Sequence, residues 1–305
     1  MIGKICGTGS SIPVKIMDND DLSNMVDTND AWIRERTGVE KRHIAESEST
    51  VSMAVEAGRR ALAQTGIQPE ELDMIVVSTM SPDAVLPCTA CEVQKAIGAE
   101  GAVCFDLQAA CTGFIFAYNT AQAYIQSNMC RTVLLIGSER LSRLVDWTDR
   151  GTCILFGDGA GAAVLKAEEG RTYLSVSHSD GKKGEALTCD RYIHMDGRAV
   201  FQFAVTRVPE VIREVLTKNE LIMDDVDYFV LHQANRRIVE AVAKRLRQPI
   251  EKFPMNLQEY GNTSSASIPI LLDEMNRSGK LKKGQKLVVA GFGAGLSWGA
   301  SIVEW

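Results

Sequence analysis

The sequence predicts an α/β fold made of two similar halves. Apolar strand-like runs alternate with helix-like segments, and the chain repeats itself once. Segment 60–79 matches segment 214–233, and Asp227 stands 154 positions after Asp73. Segment 131–137 matches 285–291 at the same offset. A third pair, 161–165 and 299–303, is offset by 138, so the second half is shorter between these features. A single repeat of about half the chain excludes a solenoid, whose period is roughly 20–50 residues.

In the first half, strands are predicted at 2–7, 74–78, 102–107, 132–137 and 162–166, and helices at 49–65, 89–97 and 113–126. In the second, strands are predicted at 173–178, 227–232, 286–291 and 300–304, and helices at 201–218, 234–247 and 265–278. Such alternation implies largely parallel sheets covered by helices. The halves divide into residues 1–168 and 169–305. Only a charged turn at 167–171 separates them, so they are expected to pack as one body.

At 305 residues the chain can bury about two domains' worth of core. Its net charge of −6 argues against general nucleic-acid binding. The first residues lack a charged n-region followed by an apolar h-region, so no signal peptide is expected. The longest membrane-span candidate, 287–303, is broken by glycines and serines. Eight cysteines without a secretion signal read as reduced thiols in a cytoplasm. Cys88-Thr-Ala-Cys91 has no second pair beside it and reads as two helix cysteines rather than a zinc or redox site. No metal site is expected.

Three segments carry chemistry. Cys111 lies between the predicted strand ending at Leu107 and the helix opening at Gly113. Free N–H groups and the helix dipole at such a turn favour a thiolate, the nucleophilic form of cysteine. The same residue also reads as a small buried core side chain. His232 closes an apolar strand run, and ligands of parallel α/β sheets bind beyond strand carboxyl ends. A satisfied core histidine is the competing reading. In Tyr260-Gly-Asn262-Thr-Ser264-Ser265-Ala-Ser267-Ile-Pro269, the Gly-Asn-Thr-Ser run reads as a turn and helix cap. Ser265 stands 154 positions after Cys111, so the repeat would bring Cys111, His232 and the Asn262 turn toward one surface. The runs Gly157–Gly161 and Gly291–Gly295 lead into strand-like stretches rather than helices, which excludes the dinucleotide fingerprint.

Taken together, the motifs resemble the β-ketoacyl-[acyl-carrier-protein] synthase III family over nearly the whole chain. They are Thr28-Asn-Asp-Ala-Trp32-Ile-Arg-Glu-Arg36-Thr37-Gly, Gln108-Ala-Ala-Cys111-Thr-Gly-Phe, Phe156-Gly-Asp-Gly-Ala-Gly-Ala, Met195-Asp-Gly-Arg-Ala-Val-Phe, His232-Gln-Ala-Asn235, Gly261-Asn262-Thr-Ser and Gly291-Phe-Gly-Ala-Gly295-Leu-Ser-Trp-Gly299. The resemblance implies a thiolase-like fold, five-layer α-β-α-β-α, with two pseudo-symmetric halves, as a homodimer. It implies that Cys111 takes an acyl group from acyl-CoA. Malonyl-[acyl-carrier protein] then loses CO2, and its enolate condenses with the acyl-Cys111 thioester. His232 and Asn262 would donate to the enolate, and the Cys111 and Ala294 backbones would form the oxyanion hole. No cofactor is implied; acyl-CoA and acyl carrier protein are the partners.

By the same resemblance, Trp32 and Arg150 sandwich the CoA adenine, and Thr28 and Arg36 make polar CoA contacts. Arg237 matches the main docking arginine for the acidic carrier protein. Arg236, Lys244 and Arg245 add charge to that helix face, while Ile238, Val239, Val242 and Leu246 form its apolar stripe. Two departures stand out. Leu86 occupies a position where many relatives carry phenylalanine, in a side chain that floors the partner's acyl pocket, so the primer can be longer or branched. Segment 178–192 is shorter than its usual counterpart, which implies a more open entrance. A specialised acyltransferase or polyketide starter enzyme is the alternative on the same scaffold. A cysteine hydrolase lacks its local signature, and a non-catalytic subunit fits poorly with all three reactive residues in place.

Overall fold

The computed structural model describes all 305 residues. The first sheet contains β1 (Ile2–Ser11), β4 (Met74–Ser78), β5 (Val103–Leu107), β6 (Thr132–Glu139) and β7 (Gly159–Glu168), in the order β1-β7-β6-β4-β5. The second contains β8 (Val176–Ser179), β11 (Tyr228–Leu231), β12 (Lys286–Gly293) and β13 (Ser297–Glu304), in the order β8-β13-β12-β11. Four strands of each sheet therefore follow one topology, and β5 is the addition. Two small hairpin-like pairs, β2 (Ile16–Asp18) with β3 (Lys41–His43) and β9 (Leu187–Cys189) with β10 (Ile193–Met195), lie outside both sheets.

The repeat is structural down to single hydrogen bonds. The Asp73 carboxylate accepts from Arg131 N and Thr132 N, and the Asp227 carboxylate accepts from Lys286 N. Gln68 N donates to the Glu71 side chain, as Ile222 N does to Asp225. Ala110 and Ser264, 154 positions apart, both have a positive φ, 45° and 50°. A non-glycine residue in that region carries backbone strain, and such strain gathers at functional turns.

Central strands are apolar at nearly every position because both sheet faces are covered. Side chains alternate between layers. In β4 and β6, Met74, Val76, Val133 and Leu135 face a core shared with helices α5 (Gly113–Gln126) and α10 (Ser267–Arg277). Ile75, Val77, Leu134 and Ile136 face the outer helices α3 (Thr50–Thr65) and α4 (Thr89–Ile97). The second sheet splits likewise. Leu287 and Val289 join the shared core, and Val288 and Ala290 meet α7 (Gly197–Lys218) and α8 (Arg236–Leu246). The layers run α-β-α-β-α, with α5 and α10 in the middle.

The expectation of largely parallel sheets is corrected. Only β4–β5, β4–β6 and β11–β12 are parallel; β1–β7, β6–β7, β12–β13 and β13–β8 are antiparallel. The connection from β12 to β13 is the short turn at 294–296, which reverses direction without a crossover. Short helices α1 (Asn19–Ser23), α2 (Asp30–Thr37), α6 (Arg150–Cys153) and α9 (Leu257–Tyr260) were also not predicted. Each is polar or too short to show a periodic stripe.

Candidate active site

The strand ends of both sheets meet over one cavity of about 620 Å³. Cys111, His232, Asn262 and Ala294 all line it, although they come from four separate segments. Cys111 sits in a tight turn, Ala110–Thr112, directly before α5. Gly293 is packed so closely behind that turn that an added Cβ would lie 2.9 Å from Cys111 N. Ala294 N–H has no protein acceptor, which leaves a donor available at the cavity wall.

His232 follows β11 immediately, and its backbone N–H donates to Ala290 O. Its Nδ1 lies 2.7 Å from Ser267 Oγ, while Ser267 Oγ accepts from Gln233 N at 3.3 Å. The Ser267 hydroxyl hydrogen is therefore free for Nδ1, and the imidazole hydrogen belongs on Nε2. Asn262 Oδ1 accepts from Ser264 N at 2.8 Å, so its Nδ2 is the spare group. The Asn262 backbone is held by Leu155 O and Gly157 N. Two second-half side chains thus present N–H donors at the wall that carries Cys111.

Burial sets their charge states. Desolvation pushes the His232 imidazole down to about 3, so the ring is neutral at neutral pH. Desolvation pushes the Cys111 thiol up to about 12, against a smaller lowering by the Ser264 hydroxyl. Burial thus works against the lowering expected from the helix start.

The cavity lining includes Arg36, Arg198 and Arg237 and no acidic side chain, on a chain of net charge −6. Trp32 lines the cavity beside them, with the Arg150 guanidinium 4.9 Å and that of Arg36 5.4 Å from its ring centre. Arg150 also donates to Asp27 O. Thr28 does not line the cavity, and its buried hydroxyl has no partner. Arg237 stands over the Phe201 ring at 5.4 Å. Arg236, Lys244 and Arg245 are exposed on α8 but lie off the cavity. Leu86 is 83 % exposed and does not line its own chain's cavity. Leu187, Thr188 and Cys189 of the short 178–192 segment border it. Sequence reasoning did not assign roles to Ser264, Ser267 or Arg198. Ser264 and Ser267 lie inside the Asn262 motif and Arg198 inside the Met195 motif, which was the available signal.

Two family profiles match: 3-oxoacyl-[acyl-carrier-protein] synthase III over residues 105–181 and its C-terminal counterpart over 216–305. A β-ketoacyl-[acyl-carrier-protein] synthase III from Clostridium novyi is 47 % identical, covering 99 % of this chain and 98 % of the relative. The chain belongs to the β-ketoacyl-[acyl-carrier-protein] synthase III family. It is a condensing acyltransferase of thiolase-like fold. The crystal structure of 3-oxoacyl-[acyl-carrier-protein] synthase III from Aquifex aeolicus superposes with a TM-score of 0.97 at 44 % identity, covering 99 % of this chain and 100 % of that one. The Pseudomonas aeruginosa enzyme gives 0.96 at 39 %, covering 100 % and 98 %. A priming β-ketosynthase of a polyketide pathway is similar at 36 % identity and TM-score 0.96, covering 99 % and 96 %; the synthase III relatives at 44–47 % identity are more similar, so the polyketide starter reading is not favoured. The Clostridium alignment runs over 319 positions against 305 residues here, so this chain is shorter within the shared length.

Proposed function

We propose that the chain condenses an acyl-CoA primer with malonyl-[acyl-carrier protein], giving 3-oxoacyl-[acyl-carrier protein], CO2 and CoA at the start of fatty acid synthesis. The observation that carries this reading is the pair of oriented neutral donors, His232 Nε2 and Asn262 Nδ2, on the cavity wall shared with Cys111. In acylation, Cys111 sulfur bonds to the acyl carbon and the thioester C–S bond breaks. The thiol proton leaves with CoA. The Cys111 and Ala294 N–H groups hold the oxyanion of that step. In condensation, the malonyl carboxylate departs as CO2 and leaves its electron pair as a thioester enolate. His232 and Asn262 donate to the enolate oxygen, where charge appears only along the reaction path. The enolate carbon attacks acyl-Cys111, the C–S bond breaks, and the thiolate is reprotonated from solvent.

Trp32 and Arg150 hold the adenine in this reading. At 4.9 Å they stand too close to admit a ring, which needs roughly 7 Å between its two neighbours, so Arg150 swings outward on binding. Arg36 and Thr28 add polar CoA contacts, with Thr28 turning its hydroxyl outward. Arg237, flanked by Arg236, Lys244 and Arg245, docks the carrier protein by charge. The working unit is a cytoplasmic homodimer in which each exposed Leu86 floors the partner's acyl pocket. Residues 1–168 and 169–305 are its two halves, and neither metal nor cofactor enters the cycle. The two half-reactions test the assignment. Cys111→Ala should abolish acylation and keep malonyl decarboxylation, whereas His232→Ala and Asn262→Ala should do the reverse. Decarboxylation intact in both donor variants would contradict it.

A further inference from the structure

Glu139 ends β6 and is fully buried, yet it forms no salt bridge. Arg140, its neighbour in sequence, turns its guanidinium away to the Ala45 and Glu46 carbonyls. An unpaired carboxylate in such a place is costly.

Its two oxygens meet different company. Oε2 faces three donors: the Ser81 hydroxyl at 2.6 Å, Met80 N–H at 3.1 Å and the Thr79 hydroxyl at 3.3 Å. Ser81 Oγ accepts from Arg140 N and Thr79 Oγ1 accepts from Ser81 N, so both hydroxyl hydrogens are free for Oε2. Oε1 lies 2.8 Å from Ser265 Oγ, and the buried Ser264 hydroxyl, which has no partner within hydrogen-bond distance, also stands close to the carboxyl. The Ser265 hydroxyl also lies 2.9 Å from the Ser78 carbonyl, which can only accept. One hydrogen can point fully at only one of these acceptors, and sharing it would leave both contacts weak. The count closes when Ser265 donates to Ser78 and Oε1 carries a hydrogen of its own, donated to Ser265.

We propose that Glu139 works as a protonated, neutral carboxylic acid, a positioning residue that clamps the Ser264–Ala266 turn of the second half onto segment 79–81 of the first. The clamp acts on the donors of the reaction. Ser264 N–H, in the clamped turn, orients the Asn262 amide. Neutrality matters because negative charge at Glu139 would oppose a thiolate at Cys111. Burial pushes the Glu139 carboxyl upward, in the same sense as the hydrogen count. The inference rests on the condensation reading only for its kinetic consequences.

Glu139→Gln reproduces the proposed hydrogen pattern, with its carbonyl oxygen in place of Oε2 and its NH2 in place of protonated Oε1. Infrared spectra of the resting protein at neutral pH should show a protonated carboxylic acid band that disappears in E139Q. That band is read without substrate, so it stands or falls apart from the reaction assignment. E139Q should support condensation within about threefold of wild type. E139A, which strands three donors, should lose about tenfold or more. Its loss should fall on malonyl decarboxylation more than on Cys111 acylation. If E139A does not fold, the infrared band and E139Q decide. Absence of the band in wild type, or a loss of about tenfold or more in E139Q, would overturn the proposal.

Discussion

Cys111 illustrates a contest between local and tertiary effects. A helix start lowers a thiol's pKa, but here burial dominates and raises it to about 12. The thiolate fraction then rises about tenfold per pH unit throughout the ordinary range. The rate of Cys111 alkylation by iodoacetamide, followed by peptide mapping, should rise about tenfold per pH unit from 7 to 9 without levelling. A plateau below pH 8 would mean a stabilised thiolate. His232 gives a second check. Its imidazole titrates near 6.5 when free and is held down to about 3 in the fold. Below about 6.5 the unfolded chain binds a proton that the native chain refuses. The stability contribution is therefore complete above that pH and is lost as pH falls toward about 3, by up to about 1.4 kcal/mol per unit. Urea unfolding at pH 7.5 and 5 should show a smaller pH effect in His232→Gln than in wild type. Cys111, His232 and Asn262 were legible in the sequence because each sits at a strand end or turn inside a recognisable motif. The roles of Ser267 and Glu139 were not, because they depend on partners at least 34 residues away.

At the scale of elements, the two equivalent turns, Ala110–Thr112 and Ser264–Ala266, are held by glycine-sized gaps in β12 and β6. Gly293 backs the Cys111 turn, and Gly137 backs the other with Ser265 O 2.4 Å from where its Cβ would be. Gly293→Ala should displace Cys111 N–H, an oxyanion donor in the proposed mechanism, and slow acylation by about 10²–10³. Intact-mass kinetics of acyl-Cys111 formation would measure it, alongside a melting curve to confirm folding. Unchanged acylation would remove this N–H from the mechanism. Strand and helix positions in the two sheets were readable because apolar runs and periodic stripes survive in the sequence. Strand direction was not, because side-chain alternation is the same in parallel and antiparallel pairs.

For the whole molecule, charge placement outweighs net charge. The chain carries −6 overall, yet its cavity mouth holds three arginines and no carboxylate, next to the basic face of α8. Arg237→Glu and Lys244→Glu should raise KM for malonyl-carrier protein by about tenfold, with a smaller change in KM for acyl-CoA. The effect should shrink as salt is added. Equal effects on both substrates would argue against a carrier-docking surface. The two-half architecture was visible as the 154-residue repeat, whereas the five layers followed from the family resemblance. The most direct test of the central claim is intact-mass analysis of the carrier after mixing the protein, a panel of acyl-CoA primers and malonyl-carrier protein, with Cys111→Ala alongside. A 3-oxoacyl mass is expected on the carrier, lost in the variant, with the preferred primer identified by its chain length. Acyl-Cys111 that persists while the carrier remains malonylated would contradict it.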